Sequence, residues 1–133
     1  MRPAFEARLQ DPERLFLVAE ADGAVVGDLK GDFVLRGVLE LGMALASEWR
    51  GRGIGSALMT RCIEWAREHG AHKIMLEVWP HNTAAIALYE KFDFQREGLL
   101  RRHWRRTNGE LWDLFVMSLV LDNDAPGSPY SAS

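Results

Sequence analysis

Residues 48–59, EWRGRGIGSALM, decide how the rest of the chain is read. Glycine weakens helix and strand interiors alike, so Gly51, Gly53 and Gly55 at alternate positions require a reason. It is either a turn with unusual backbone angles or something large pressed against bare backbone. Immediately afterwards Leu58, Met59, Cys62, Ile63 and Ala66 recur at three- and four-residue spacing. Arg61, Glu64, Arg67 and Glu68 lie opposite them, and Gly70 supplies a left-handed stop. A glycine-rich turn therefore feeds a helix, whose first NH groups lack partners within the helix and offer a seat for phosphate. Gly51, Gly53 and Gly55 would admit phosphate oxygens to the backbone amides between Arg50 and Ser56, and Arg50 and Arg52 would add charge-assisted contacts. A polyphosphate fits; the alternative is a glycine-rich connection that binds nothing.

The neighbouring residues narrow the ligand. A nucleoside-triphosphate loop needs Lys and then Ser or Thr after its last glycine, whereas Gly55 is followed by Ser56-Ala57. A dinucleotide fingerprint needs glycine at position 56, inside a parallel α/β unit at the start of a longer chain. Ser56 directly follows Gly55, so there is no nucleophile elbow of a serine hydrolase.

Outward from this turn, residues 15–20 (LFLVAE) and 24–29 (AVVGDL) read as strands joined by an Asp22-Gly23 hairpin. A second pair follows, 32–37 (DFVLRG) into 38–46 (VLELGMALA). Residues 3–9 are expected to form a short helix that stops before Pro12. Downstream, residues 72–79 (HKIMLEVW) alternate, with Ile74, Leu76 and Val78 on one face and Met75, Glu77 and Trp79 on the other, until Pro80 ends the ladder. Asn82 caps a second helix whose buried stripe is Ala85, Leu88, Tyr89 and Phe92. Two last strands, 94–102 and 111–121, meet through Asn108-Gly109, and residues 122–133 are expected to be a frayed tail.

With 133 residues, 47% of them hydrophobic, the chain has material for one packed domain, residues 1–121, and no room for a second. It contains no long apolar run and its start is charged, so a cytoplasmic protein without a membrane segment is expected. Cys62 is alone, which excludes an intrachain disulfide and suits a small buried hydrophobe. His69, His72, His81 and His103 fit no metal-ligand spacing, so no metal is expected. The formal net charge of -3 gives no general attraction to nucleic acid. Against that average, residues 96–106 (REGLLRRHWRR) carry five arginines around Trp104; a solvated hairpin is the preferred reading over a nucleic-acid site.

Two motifs together resemble one family. Arg50, Gly53 and Gly55 follow the R/Q-x-x-G-x-G/A form, and residues 82–94 (NTAAIALYEKFDF) come close to N-x-x-A-x-x-L-Y-x-x-x-G-F, with LEV at 76–78 just before. Over residues 15–121 the chain is similar to the GNAT superfamily of N-acetyltransferases. The resemblance implies an α/β fold: a mixed, mostly antiparallel sheet of six or seven strands, flanked by helices and splayed between its fourth and fifth strands, here 39–46 and 72–79. The pantetheine arm of acetyl-CoA lies in that splay. The family usually carries one more strand and helix in front, so residues 1–10 would match its second helix and the first strand would be absent. A sheet edge left bare in this way suits a homodimer. Asp93 stands where the family has glycine, which a short polar side chain tolerates in the left-handed region.

By the same resemblance, the cosubstrate is acetyl-CoA and the partner an amine: the acetyl group passes directly to a primary amine of a small molecule or a peptide N-terminus. Backbone NH groups near Leu45 bind pantetheine and polarise the carbonyl. Tyr89 matches the general acid that protonates the departing sulfur, Glu77 matches a base acting through water, and Glu40 competes with it from the fourth strand. A partly buried carboxylate would suit the base. Asn82, besides capping its helix, would contact the pantetheine or the catalytic water. The competing class is a CoA-binding or CoA-sensing module without turnover. The basic hairpin would border the acceptor channel.

Overall fold

The computed structural model describes residues 4–7, by backbone alone, and 14–121. Seven strands and two α-helices follow in the order β1 Ala4–Ala7, β2 Arg14–Ala21, β3 Ala24–Leu35, β4 Val38–Leu45, α1 Ile54–Glu68, β5 Lys73–Val78, α2 Thr83–Lys91, β6 Gln95–Arg105 and β7 Leu111–Val120. They build one sheet ordered β1-β2-β3-β4-β5-β7-β6. Only the β4/β5 pair is parallel, so the expected mixed, mostly antiparallel sheet with flanking helices is what forms.

The β2–β3 hairpin turns on Asp22 and Gly23, both at positive φ (53° and 78°), the backbone that matches the twist of two antiparallel strands. Beyond it the expectation of two strands, 24–29 and 32–37, is corrected: β3 runs unbroken from Ala24 to Leu35. Gly31 does not interrupt it, because it pairs with Leu15 of β2 on one side and Leu41 of β4 on the other. Its bare Cα also makes room for Leu39, whose Cδ1 would lie 3.3 Å from a Cβ placed there.

The expected helix over residues 3–9 is corrected too. Ala4–Ala7 is a strand, paired antiparallel with Leu17–Glu20 of β2; the rest of that stretch lies outside the described residues. A segment this short cannot repay helix nucleation, whereas the unpaired side of β2 offers a ready ladder. A short strand, β1, thus stands at the edge in front of β2 and covers it along the paired residues.

Helix α1 packs Leu58, Met59, Cys62 and Ala66, all without measurable exposure, against β2, β3 and β4. Each large apolar side chain buried in this way contributes about 1.5–3 kcal/mol. Gly70 (φ 80°) turns the chain out of α1 into β5, whose Ile74, Leu76 and Val78 are buried. Helix α2 starts where the Asn82 side-chain oxygen accepts the Ala85 NH at 3.2 Å. Its buried residues are Tyr89 and Ile86, the second absent from the expected stripe; Ala85, Leu88 and Phe92 are half-buried. Asp93 follows at φ 72°, in the left-handed region that a short polar side chain tolerates.

The sheet opens between β4 and β5. Strands β4 and β5 pair only through Val38–Lys73, Leu39–Ile74 and Glu40–Met75. Beyond those pairs β4 continues to Leu45 on β3, and β5 continues to Val78 on β7, so the two strands diverge. Among the described residues no helix is long and apolar enough to cross a membrane.

Candidate active site

The opening between β4 and β5 is occupied by two cavities. The larger, about 560 Å³, lies between the end of β4, the turn before α1 and one side of α2. The smaller, about 240 Å³, lies between β4, β5, β6 and β7. Met43, Asn82 and Tyr89 line both, so these three side chains form the partition between them.

The residues predicted to hold phosphate converge on the larger cavity. Gly51, Gly53, Gly55 and Ser56 line it, with Arg50 beside them. The glycines do different work. Gly51 (φ 76°) and Gly53 (φ 82°) take left-handed backbone in open space, and Gly53 caps α1. Gly55 lies inside α1 and is buried, where an added Cβ would stand 2.9 Å from Leu88 Cδ2 and 3.3 Å from Leu45 Cδ1. It therefore lets α1 approach α2 and β4, which sets the cavity's width. The residues that open α1 line the same space as Arg50, and the first amides of a helix, which lack partners within it, suit a diphosphate. Arg52 does not line the cavity; its guanidinium lies 4.6 Å from the centroid of the Trp49 ring.

Leu45 and Met43 form the β4 wall, and Ala85 and Leu88 the α2 wall, giving an apolar passage that leads from the amides to the partition. Lys91 was not singled out from the sequence. It lines the cavity and donates to the Ser56 hydroxyl at 3.1 Å, linking the end of α2 to the start of α1. No local pattern reveals a contact between residues so far apart in the chain.

At the partition, Tyr89 is almost fully buried and its ring packs against Phe94 with centroids 5.8 Å apart. Burial raises its phenol above the ordinary tyrosine value of 10.0, so it holds its proton at neutral pH. Glu77 lines the smaller cavity together with Trp79, Trp104 and Leu114. Glu40 lines neither cavity. Both carboxylates are exposed, so neither has the partial burial that would suit a base; each projects from the less covered side of its strand. Trp79 anchors an aromatic group around the smaller cavity, meeting Trp104 at 6.0 Å and Trp112 at 5.0 Å between centroids, both edge-on. His81 stacks on Trp79, and the Arg106 guanidinium lies 4.3 Å from the Trp112 ring. Among the described residues no three His, Cys, Asp or Glu side chains come together as a metal site.

A cavity lined by the residues that open α1, reaching through a splayed parallel pair toward a buried tyrosine, is joined by agreement in sequence. The profile of the Acetyltransferase (GNAT) family matches residues 1–94. The chain belongs to this family. As a GNAT acetyltransferase it is an acetyl-CoA-dependent enzyme that transfers an acyl group to an amine. It is 38% identical to the L-amino acid N-acetyltransferase AaaT of Escherichia coli K12, over 87% of this chain and 75% of the relative. Among solved structures, the ribosomal-protein-alanine N-acetyltransferase of Brucella melitensis is 34% identical with a TM-score of 0.75, covering 81% of this chain and 69% of that one. An acetyltransferase structure from Salmonella typhimurium, holding its cofactor acetyl-CoA, superposes with a TM-score of 0.78 at 25% identity, over 89% of this chain and 70% of that one.

Proposed function

We propose that the two cavities divide the two substrates, acetyl-CoA in the larger and the amine in the smaller, and that transfer takes place across the partition. The observation that carries this reading is the sharing of Tyr89, Asn82 and Met43 by both cavities: a group at that point is within reach of both substrates. The CoA diphosphate rests on the amides of residues 51–56 with Arg50 at its side, and the pantetheine follows Met43 and Leu45 along β4. There β4 has turned away from β5, so its backbone groups on that side are left for a ligand.

The acceptor amine enters beside Glu77, Trp79 and Trp104. Glu77 takes the ammonium proton, directly or through a water, and the freed amine attacks the thioester carbonyl. Tyr89 then gives its phenolic proton to the departing thiolate, and the phenolate left behind takes the second proton from the nitrogen as the amide forms, a role that fits a tyrosine kept neutral by burial. Glu77 is preferred over Glu40 because it alone lines the acceptor cavity. The relatives that act on L-amino acids and on ribosomal-protein alanine support a primary α-amine, of a free L-amino acid or a peptide N-terminus, as the acceptor.

The experiment is a thiol-release assay with acetyl-CoA against free L-amino acids, alanine-headed peptides and polyamines, paired with calorimetry of CoA binding. Thiol release with an α-amine, abolished in Tyr89→Phe while CoA still binds, is the expected result. CoA binding without release to any amine refutes the division of substrates.

A further inference from the structure

Strand β6 does not run evenly along β7. Leu100 pairs with Leu114 and Trp104 with Trp112, so while β7 advances two residues β6 advances four. A regular antiparallel ladder continued from Leu100 would set Arg102, not Trp104, opposite Trp112. The extra length is taken up at Arg102, which sits at φ 51°, a left-handed conformation that a long side chain rarely adopts. Directly across the irregular stretch lies Asp113, whose Oδ1 accepts the Arg102 NH at 2.7 Å. The side chain thus replaces the ladder bond that the bulge removes.

The bulge changes the chemistry of the acceptor wall. Because the insertion is an even number of residues, Trp104 keeps the sheet face that Arg102 would have taken. Trp104 lines the smaller cavity, its ring nearly perpendicular to that of Trp79 with centroids 6.0 Å apart. An indole face attracts an ammonium ion, whereas a guanidinium in the same place repels it.

We propose that Asp113 is a positioning residue for the amine acceptor: by holding the Arg102 NH it fixes the bulge that presents Trp104, in place of Arg102, to the acceptor cavity. This rests on the reading that the smaller cavity receives the amine, and the variants are chosen to separate the two ideas.

The test is steady-state kinetics on the full chain with the best L-amino acid or peptide acceptor, measuring KM for acceptor and for acetyl-CoA separately. Trp104→Ala raises the acceptor KM by about three- to thirtyfold and leaves the acetyl-CoA KM unchanged. Asp113→Ala gives the same signature, and Asp113→Asn, which keeps an acceptor oxygen in place, stays nearer the parent. Adding Arg102→Gly to Asp113→Ala restores the acceptor KM, because glycine holds positive φ without a cap. Should Asp113→Ala fail to fold, Asp113→Ser shortens the reach with less disturbance and is read in the same way. The proposal is overturned if Asp113→Ala raises both KM values alike, if Arg102→Gly does not rescue it, or if only Trp104→Ala has an effect. An acceptor KM unmoved by Trp104→Ala overturns the placement of the amine itself, and this proposal with it.

Discussion

Adding a single methyl group at Gly55 separates cavity width from fold stability. The new Cβ would stand 2.9 Å from Leu88 Cδ2, against an ordinary contact that begins at 3.4 Å, so the Leu88 tip must retreat by 0.5 Å and Leu45 Cδ1, at 3.3 Å, by less. Both side chains border the larger cavity, which gives them somewhere to go. Without ligand the displacement is therefore cheap, and the advantage of alanine over glycine in a helix, smaller in this first turn of α1 than in a helix interior, offsets part of it. With ligand the space is taken, and the overpacking cost of about 1–3 kcal/mol falls on binding. Gly55→Ala is expected to keep its thermal midpoint within about 4 °C of the parent while CoA binds roughly five- to a hundredfold more weakly, read by calorimetry. Gly53→Ala provides the contrast, since nothing lies near its Cβ but φ is 82°. It is expected to lose about 1–2 kcal/mol of stability through backbone strain. Unchanged CoA affinity in Gly55→Ala would refute the reasoning, because Leu45 and Leu88 would then not bound the ligand.

Four further outcomes follow from the geometry. Glu77→Gln is expected to lower kcat by about 10²–10⁴-fold with CoA affinity retained, while Glu40→Gln leaves kcat within about twofold; equal effects in the two variants would remove Glu77 from the base role. For Tyr89, burial raises the folded-state pKa above 10.0, so stability is intact below that pH and falls as pH climbs past it; Tyr89→Phe flattens this alkaline part of a denaturation profile. The Glu97 carboxylate is held below its ordinary 4.5 by hydrogen bonds from Lys73, at 2.7 Å, and from Ser118. Its contribution is present above that pH and lost as pH falls through the lowered value, so Glu97→Gln reduces the acid sensitivity of the thermal midpoint. Burial pushes the Cys62 thiol up to about 12, so a thiol reagent leaves the native protein untouched and modifies it only after denaturation.

The elements that could be read from the sequence were those whose signal is local. Asp22-Gly23, Gly70 and Asn82 mark their turn, stop and cap by chemistry within a few residues, and each stands where expected. The helical period after Ser56 and the alternation of Ile74, Leu76 and Val78 are faces that repeat with the backbone, so their burial followed. Ala4–Ala7 departs from the expected helix because a four-residue segment takes its conformation from β2, which pairs with it, and not from its own composition. The continuity of β3 through residues 30 and 31 depends on Leu15 and Leu41, the partners of Gly31 on two other strands, so no local pattern in 24–37 carries it. The site divides similarly. Gly51, Gly53 and Gly55 announce themselves by spacing, but the separate task of Gly55 depends on Leu88, on another helix. Lys91 and the Asp113–Arg102 contact depend wholly on tertiary placement.

The three residue pairs between β4 and β5 make the sheet two panels joined along a short seam, β1 to β4 on one side and β5 to β7 on the other. Past Glu40 and Met75 each panel presents an internal margin, and a molecule lodged there acts as a missing strand that stitches the panels together. The rigidity of the protein is thus partly on loan from what it binds: amide exchange at the far end of β4 slows, and thermal stability climbs, as ligand concentration rises above Kd.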